Sequence, residues 1–290
     1  MSAAFIDPVD RAFVRIEEGQ VHLRRCDGAK AVRPLVMVHA SPGSSRGLAP
    51  LMREMTALDG APTLIAPDTL GNGDSVAPTV AEPDIAWFAR SLVRVLDALG
   101  LDKVDLYGTH TGARTVCEMA AAFPDRVGRV VFDGIGDYTP EMRDLLVDRY
   151  APEMAPDDYG TQFVWAFHFV RDQALHFPHF LRDPAHRLTA RPVPEAADLH
   201  TAVVDVLKGL GSYHKPYRAA FRYEAGKRLG DIAAPVLFVG AENELPSLRA
   251  ATEGLCALCR DGRVVPVSGD PRHKARAILD FLQAGTSDAD

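Results

Sequence analysis

The stretch Leu106-Tyr107-Gly108-Thr109-His110-Thr111-Gly112-Ala113 constrains this chain more than any other. Lys103 to Leu106 reads as the end of a short strand. Ala113 to Phe123 carries Ala, Val, Cys and Met at helical spacing. A strand that turns into a helix through Gly-x-X-x-Gly is a nucleophile elbow. Its glycines let the two backbones pass closely, and the central side chain stands on a sharp corner at the carboxyl edge of a sheet. That central residue is commonly Ser; here it is His110.

Around this corner, β and α signals alternate. Phe13 to Cys26 reads as two strands joined near Glu18-Gly19-Gln20. Pro34–His39 and Thr63–Ala66 are continuous apolar runs, as expected of strands buried on both faces. Each ends in a loop dense in turn residues: His39-Ala40-Ser41-Pro42-Gly43 after the first, and Pro67-Asp68 through Gly73-Asp74-Ser75 after the second. Leu48, Leu51, Met52 and Met55 share one helix face. Asp84 is placed to cap a helix whose stripe is Phe88, Leu92, Val95, Leu96 and Leu99. Arg129–Asp133 is the next strand. From Asp137 to about Leu229 the strand signal disappears, while rings crowd Phe163–Phe169 and His176–Phe180. Alternation resumes with a strand at Pro235–Gly240, a helix at Pro246–Cys259, a strand at Val264–Val267 and a final helix through Ala275, Ile278, Leu279 and Leu282. The tail from Gly285 reads as disordered. Regular alternation of this kind implies a parallel, doubly wound sheet.

Composition limits the partners. The 290 residues are 47% hydrophobic and 24% charged with a net charge of −7, and they contain no basic block, which excludes nucleic acid as the expected partner. No apolar run approaches the ~20 residues of a membrane span. Met1 to Arg11 has no apolar core of a secretory signal, so the cytoplasm is the default compartment. Cys256-x-x-Cys259 lacks a second pair and the preceding strand of a redox motif. It reads as two ordinary helix cysteines, and Cys117 as core.

With four motifs in order, the chain resembles the α/β-hydrolase superfamily. His39-Ala40-Ser41-Pro42-Gly43 is similar to the family's loop after the third strand, and Pro67–Ser75 to the loop after the fourth. Gly108-x-His110-x-Gly112 matches the elbow, and Pro235–Asn243 the strand and acid-bearing loop after the seventh. The resemblance implies an α/β fold with an eight-strand, mostly parallel sheet and helices on both faces. It implies a core of residues 1–136 and 230–290, with 137–229 as a helical cap. The departures are equally specific. Asn243 stands where the family usually has Asp, between Glu242 and Glu244, and His273 lies about three residues from the family's histidine. A standard Ser-His-Asp triad is absent.

By resemblance, the Ser41 and Thr111 backbone N–H groups form an oxyanion hole, Thr111 adding the positive end of a helix dipole. His110 can then serve as a general base, for which an imidazole suits neutral pH, or as a nucleophile. A metal site with His39, Asp68 or His273 lacks a close His-x-x-x-His spacing and is not expected; no cofactor is expected either. A carboxylate behind the imidazole comes from Glu242 or Glu244, or from Asp133, a position used by haloalkane dehalogenases; Asp133 can equally cap the turn before Gly134. His273 can act as a base or lie on the surface, and His39 can line the site or fix its loop. Trp165 and His168 are candidates for an aromatic-lined pocket. The expected function is a hydrolase acting without a cofactor on a small, partly apolar or aromatic substrate. The alternatives are a lyase or isomerase working by proton abstraction at the same site, and a catalytically silent ligand-binding homologue.

Overall fold

The computed structural model describes residues 7–29, 32–188, 193–242 and 244–284. Asn243 and the tail from Gly285 therefore lie outside the described residues. Eight strands form one sheet: β1 (Asp10–Ile16), β2 (Gly19–Cys26), β3 (Leu35–Val38), β4 (Leu64–Pro67), β5 (Val104–Thr109), β6 (Val127–Asp133), β7 (Val236–Ala241) and β8 (Gly262–Val267), in the order β1-β2-β4-β3-β5-β6-β7-β8. The β1–β2 and β2–β4 pairs are antiparallel and the remaining pairs parallel. The eight-strand, mostly parallel sheet expected from the sequence is thus present.

Both faces of the sheet are buried because successive strand side chains point to opposite sides. On β3, Val36 and Val38 join Leu106, Val130 and Phe238 in one apolar cluster, against α2 (Ile85–Ala98) and α3 (Thr111–Ala122). Leu35 and Met37 join Tyr107, Val131 and Leu237 in the opposite cluster, against α1 (Ala49–Thr56) and the helix Pro271–Gln283. The sequence-level cap of α2 is observed: the Asp84 carboxylate accepts the Trp87 N–H at 2.7 Å.

The chain between β6 and β7 contributes no strand to the sheet among the described residues. It holds α4 (Pro140–Arg149), α5 (Thr161–Leu175), α6 (Ala196–Lys208) and α7 (His214–Arg222), plus one isolated antiparallel bridge, His176 to Arg187. This segment has its own apolar cluster, built on Leu146, Tyr150, Phe169, Val206, Tyr213 and Tyr217. Alternate aromatic residues on α5 face different sides, as a spacing of two on a helix requires: Phe163 and Phe167 are exposed and Phe169 is buried. α8 (Pro246–Cys256) and α9 (Pro271–Gln283) complete the chain. α8 ends earlier than the sequence implied, leaving Cys259 in the turn before β8. All four cysteines are free, and burial pushes the Cys259 thiol up to about 12.

Candidate active site

The elbow is formed by contact distances that only glycine permits. A Cβ on Gly108 would lie 2.6 Å from the Gly112 carbonyl, and a Cβ on Gly112 would lie 2.1 Å from that of Val38. β5 can therefore enter α3 within one residue. That residue is His110, with φ 48 and ψ −105, the one non-glycine residue of positive φ among those described. Its N–H donates to the Asp133 carbonyl at 3.2 Å, tying the corner to the end of β6.

The imidazole faces a carboxylate. His110 Nε2 is 3.6 Å from Glu244 Oε2, and the Glu244 side chain is 8% exposed. Glu244 is fixed from behind by the Leu245 N–H, which donates to Oε1 at 2.6 Å. Gly134 lies beside both ring and carboxylate. A Cβ there would fall 2.3 Å from Glu244 Oε2 and 3.1 Å from His110 Cε1, so the pair meets only because position 134 has no side chain.

His110 opens onto a pocket of about 170 Å³ between the sheet edge and the inserted helices. Ser41, Thr111 and Arg114 line its floor, and Tyr138, Tyr150, Phe177, Tyr217 and Phe221 its walls. Among the described residues, no acceptor is found for the Ser41 or Thr111 N–H. A second chamber of about 410 Å³ lies between the 39–48 loop, α5 and α6, and Ala40, Ser41 and Gln173 line both.

The α/β-hydrolase-fold family model matches this chain over residues 33–270. The chain belongs to that family. A 2-hydroxy-6-oxononadienedioate/2-hydroxy-6-oxononatrienedioate hydrolase of Paraburkholderia xenovorans (strain LB400) is 35% identical over 132 residues, covering 44% of this chain and 45% of the relative. The chain thus spans less than half the length of this curated relative. A hydrolase of the same name from Klebsiella pneumoniae is 26% identical over 245 residues, 80% of this chain and 78% of the relative. Epoxide hydrolase A of Mycobacterium thermoresistibile superposes with a TM-score of 0.72 at 19% identity, over 95% of this chain and 98% of that one, which shows the shared fold.

Within this α/β-hydrolase frame, the structure separates the sequence candidates. Glu244, not Glu242, approaches His110. Glu242 is exposed, and its carbonyl accepts from Arg249, because β7 ends at Ala241 and Glu242 sits in the turn closed by the Glu244 N–H donating to the Ala241 carbonyl. Asp133 is buried but turned away from the imidazole. Its Oδ2 accepts from the Tyr107 hydroxyl at 2.5 Å and from Lys274 Nζ at 2.6 Å, so its charge is spent behind the elbow. Burial and the Asp133 charge hold the Tyr107 phenol far above its ordinary range, so it remains a donor.

His273 is not brought to His110. It sits on α9, exposed, with Nδ1 against the Ser268 hydroxyl at 3.0 Å, and it lines a surface groove with Arg263 and Phe281. The next residue, Lys274, points inward instead. His39 fixes its loop: Nε2 accepts the Thr69 N–H at 2.9 Å, and Nδ1 lies 2.9 Å from the Ala40 carbonyl. Asp68 lies apart, bonded to His22 and to the Ser45 and Asp74 N–H groups. Trp165 stacks on Phe169 with centroids 4.8 Å apart, inside the inserted cluster, and His168 is exposed on α5. Neither lines the His110 pocket.

Sequence reading missed Arg114, Tyr138, Gln173 and Lys274. For Arg114 a signal existed: a lone arginine one turn after His110, on a helix whose neighbours Ala113, Val116 and Cys117 are fully buried.

Proposed function

We propose that this protein is a hydrolase of small, partly apolar molecules, with His110 as its general base and Glu244 as the carboxylate that orients it. The observation carrying this reading is the 3.6 Å approach of His110 Nε2 to Glu244 Oε2 at a strained corner that opens onto an aromatic pocket. Positive φ at a bulky residue costs of order 1–3 kcal/mol and persists where surrounding structure enforces it, commonly at functional sites.

With Nε2–H directed to Glu244, Nδ1 is the nitrogen left to accept a proton. A water beside it loses that proton as its oxygen bonds to the substrate's carbonyl carbon. The carbonyl oxygen becomes an oxyanion, which on this reading accepts from the Ser41 and Thr111 N–H groups; one such donor is typically worth ~2.7–4 kcal/mol of barrier. Collapse breaks the bond to the leaving group, and His110 returns the proton to it. The 3.6 Å separation is longer than a hydrogen bond, and such contacts commonly tighten when substrate excludes water. The inserted helices α4–α7 act as the cap that provides this exclusion.

The relatives' 2-hydroxy-6-oxo-dienoate substrates are the first compounds to assay. Loss of their absorbance, with ¹⁸O from solvent entering one product and with activity abolished in His110→Ala, is the expected result. Turnover without ¹⁸O uptake would shift the reading to proton abstraction by the same base. Tight binding without turnover would leave a ligand-binding homologue.

A further inference from the structure

Arg114 is 3% exposed, yet among the described residues no carboxylate lies within ion-pair distance of its guanidinium. Its Nη1 donates to the His110 carbonyl at 3.3 Å, and its Nη2 to that of Gly136 at 2.5 Å. Its Nε has no hydrogen-bond partner. The guanidinium carbon lies 5.6 Å from the centroid of the Tyr138 ring. Two carbonyls, the Tyr138 hydroxyl and its ring face are all uncharged and do not neutralise a cation, and a buried charge without a counter-ion is strongly disfavoured. The missing partner has a place to bind, because Arg114 lines the pocket onto which His110 opens.

We infer that Arg114 forms the anion-binding subsite of the His110 pocket, taking a carboxylate carried on an aromatic or apolar body. The body follows from the walls, which are Tyr138, Tyr150, Phe177, Tyr217 and Phe221. The single charge follows from the donors: Arg114 is the one Lys or Arg among the lining residues, which matches a monoanionic acid better than a phosphate dianion. Glu244 does not fill the role, since its oxygens are directed to the Leu245 N–H and to His110. The subsite lies one helical turn from the base, so a substrate anchored there would present its reacting carbon beside His110. This inference rests on the His110 pocket being the substrate pocket, but its test needs no turnover.

Benzoate and its uncharged counterpart benzamide are the probes, titrated by calorimetry into wild-type protein, Arg114→Met, Arg114→Lys and His110→Ala. Benzoate should bind wild type roughly tenfold to hundredfold more tightly than benzamide, the range of one charge-assisted contact. Arg114→Met should erase that preference, Arg114→Lys should keep part of it, and His110→Ala should keep it whole. Equal binding of the two probes to wild type, no benzoate binding at all, or an unchanged preference in Arg114→Met would overturn the inference. If Arg114 only braced the elbow, Arg114→Met would weaken both probes alike and leave their ratio unchanged. The Lys variant supplies the comparison if the Met variant fails to fold. Failure of the hydrolase reading would instead show as an intact benzoate preference with no turnover of any substrate.

Discussion

His110 and Glu244 meet across the empty side of Gly134: the ring and carboxylate are 3.6 Å apart, and a methyl group at position 134 would lie 2.3 Å from the carboxylate oxygen. β5, β6 and the loop after β7 each lead into one member of this contact.

Glu244→Gln should lower kcat by about 10–10⁴-fold, the span between neutralising a carboxylate behind a metal-bound imidazole and one behind a triad imidazole. Glu242→Gln, on the same loop but exposed to solvent, should change kcat less than about twofold. Steady-state kinetics of the two variants decide between the carboxylates; the reverse order would remove Glu244 from the mechanism.

Gly134→Ala should be costly in two ways. The position has φ +80, which an L side chain adopts with strain, and the added carbon displaces Glu244. Urea denaturation should show a loss of about 1–3 kcal/mol, together with a kcat decrease similar to that of Glu244→Gln. An Ala variant of unchanged stability and activity would mean that the loop relaxes freely.

His110→Ala should lose roughly 10²–10⁴ in rate if the imidazole is the base. His110→Ser should not recover a serine hydrolase, because a serine needs a base within about 2.6–3.2 Å and His273 lies outside the pocket. Sulfonyl fluoride labelling followed by mass spectrometry gives the check: a stoichiometric adduct on the introduced serine would show that another base is already poised there. His110→Gly should raise stability by about 1 kcal/mol while removing activity, since glycine relieves the strain at φ 48.

Acid should loosen the inserted helices before the sheet. Burial pushes the His179 imidazole below its usual value of 6.5, against the hydrogen bond to the Tyr150 carbonyl and the Asp172 charge. Burial lowers His214 too, against the attraction of Glu153. With a folded pKa below the unfolded one, the stabilisation is complete above about pH 6.5 and is lost as pH falls through the range beneath it. Hydrogen exchange at about pH 7.5 and about pH 5.5, corrected for intrinsic rates, should show α5 and α7 losing protection while β5 and β6 keep theirs. Asp68 acts at lower pH. Burial raises its pKa, but hydrogen bonds from His22 and two backbone N–H groups outweigh this and hold it below the usual carboxylate range, so its contribution disappears only in strong acid.

The two buried thiols, Cys26 and Cys117, should be inert in the folded protein. Burial pushes Cys117 up to about 12 and Cys26 to about 11, leaving little thiolate at about pH 8. Thiol-exchange reagents should titrate Cys26 and Cys117 only after denaturation; rapid labelling of either in native protein would contradict their burial.

Much of this molecule was legible in one dimension because the signals were local. Apolar runs marked β3, β4 and β7, the Gly-x-His-x-Gly corner marked the β5–α3 junction, and the break at Gly136 marked the insertion. Each depends on backbone geometry or on side-chain periodicity, which neighbouring residues set on their own. The sequence therefore determined the sheet, its two buried faces and the imidazole at its edge. What it left open depended on distance in space. Glu242 and Glu244 are equivalent candidates along the chain, and only the turn after β7 sends one inward and the other to solvent. His273 and Lys274 are neighbours, and the step of roughly 100° between helical residues exposes the histidine while bringing the lysine to Asp133, 141 residues earlier. Arg114 looks like a misplaced charge in an apolar helix until the inserted segment, packed over the elbow, turns its surroundings into a pocket. Tertiary structure made these choices because burial and charge pairing are set by where elements pack, and no local pattern encodes that.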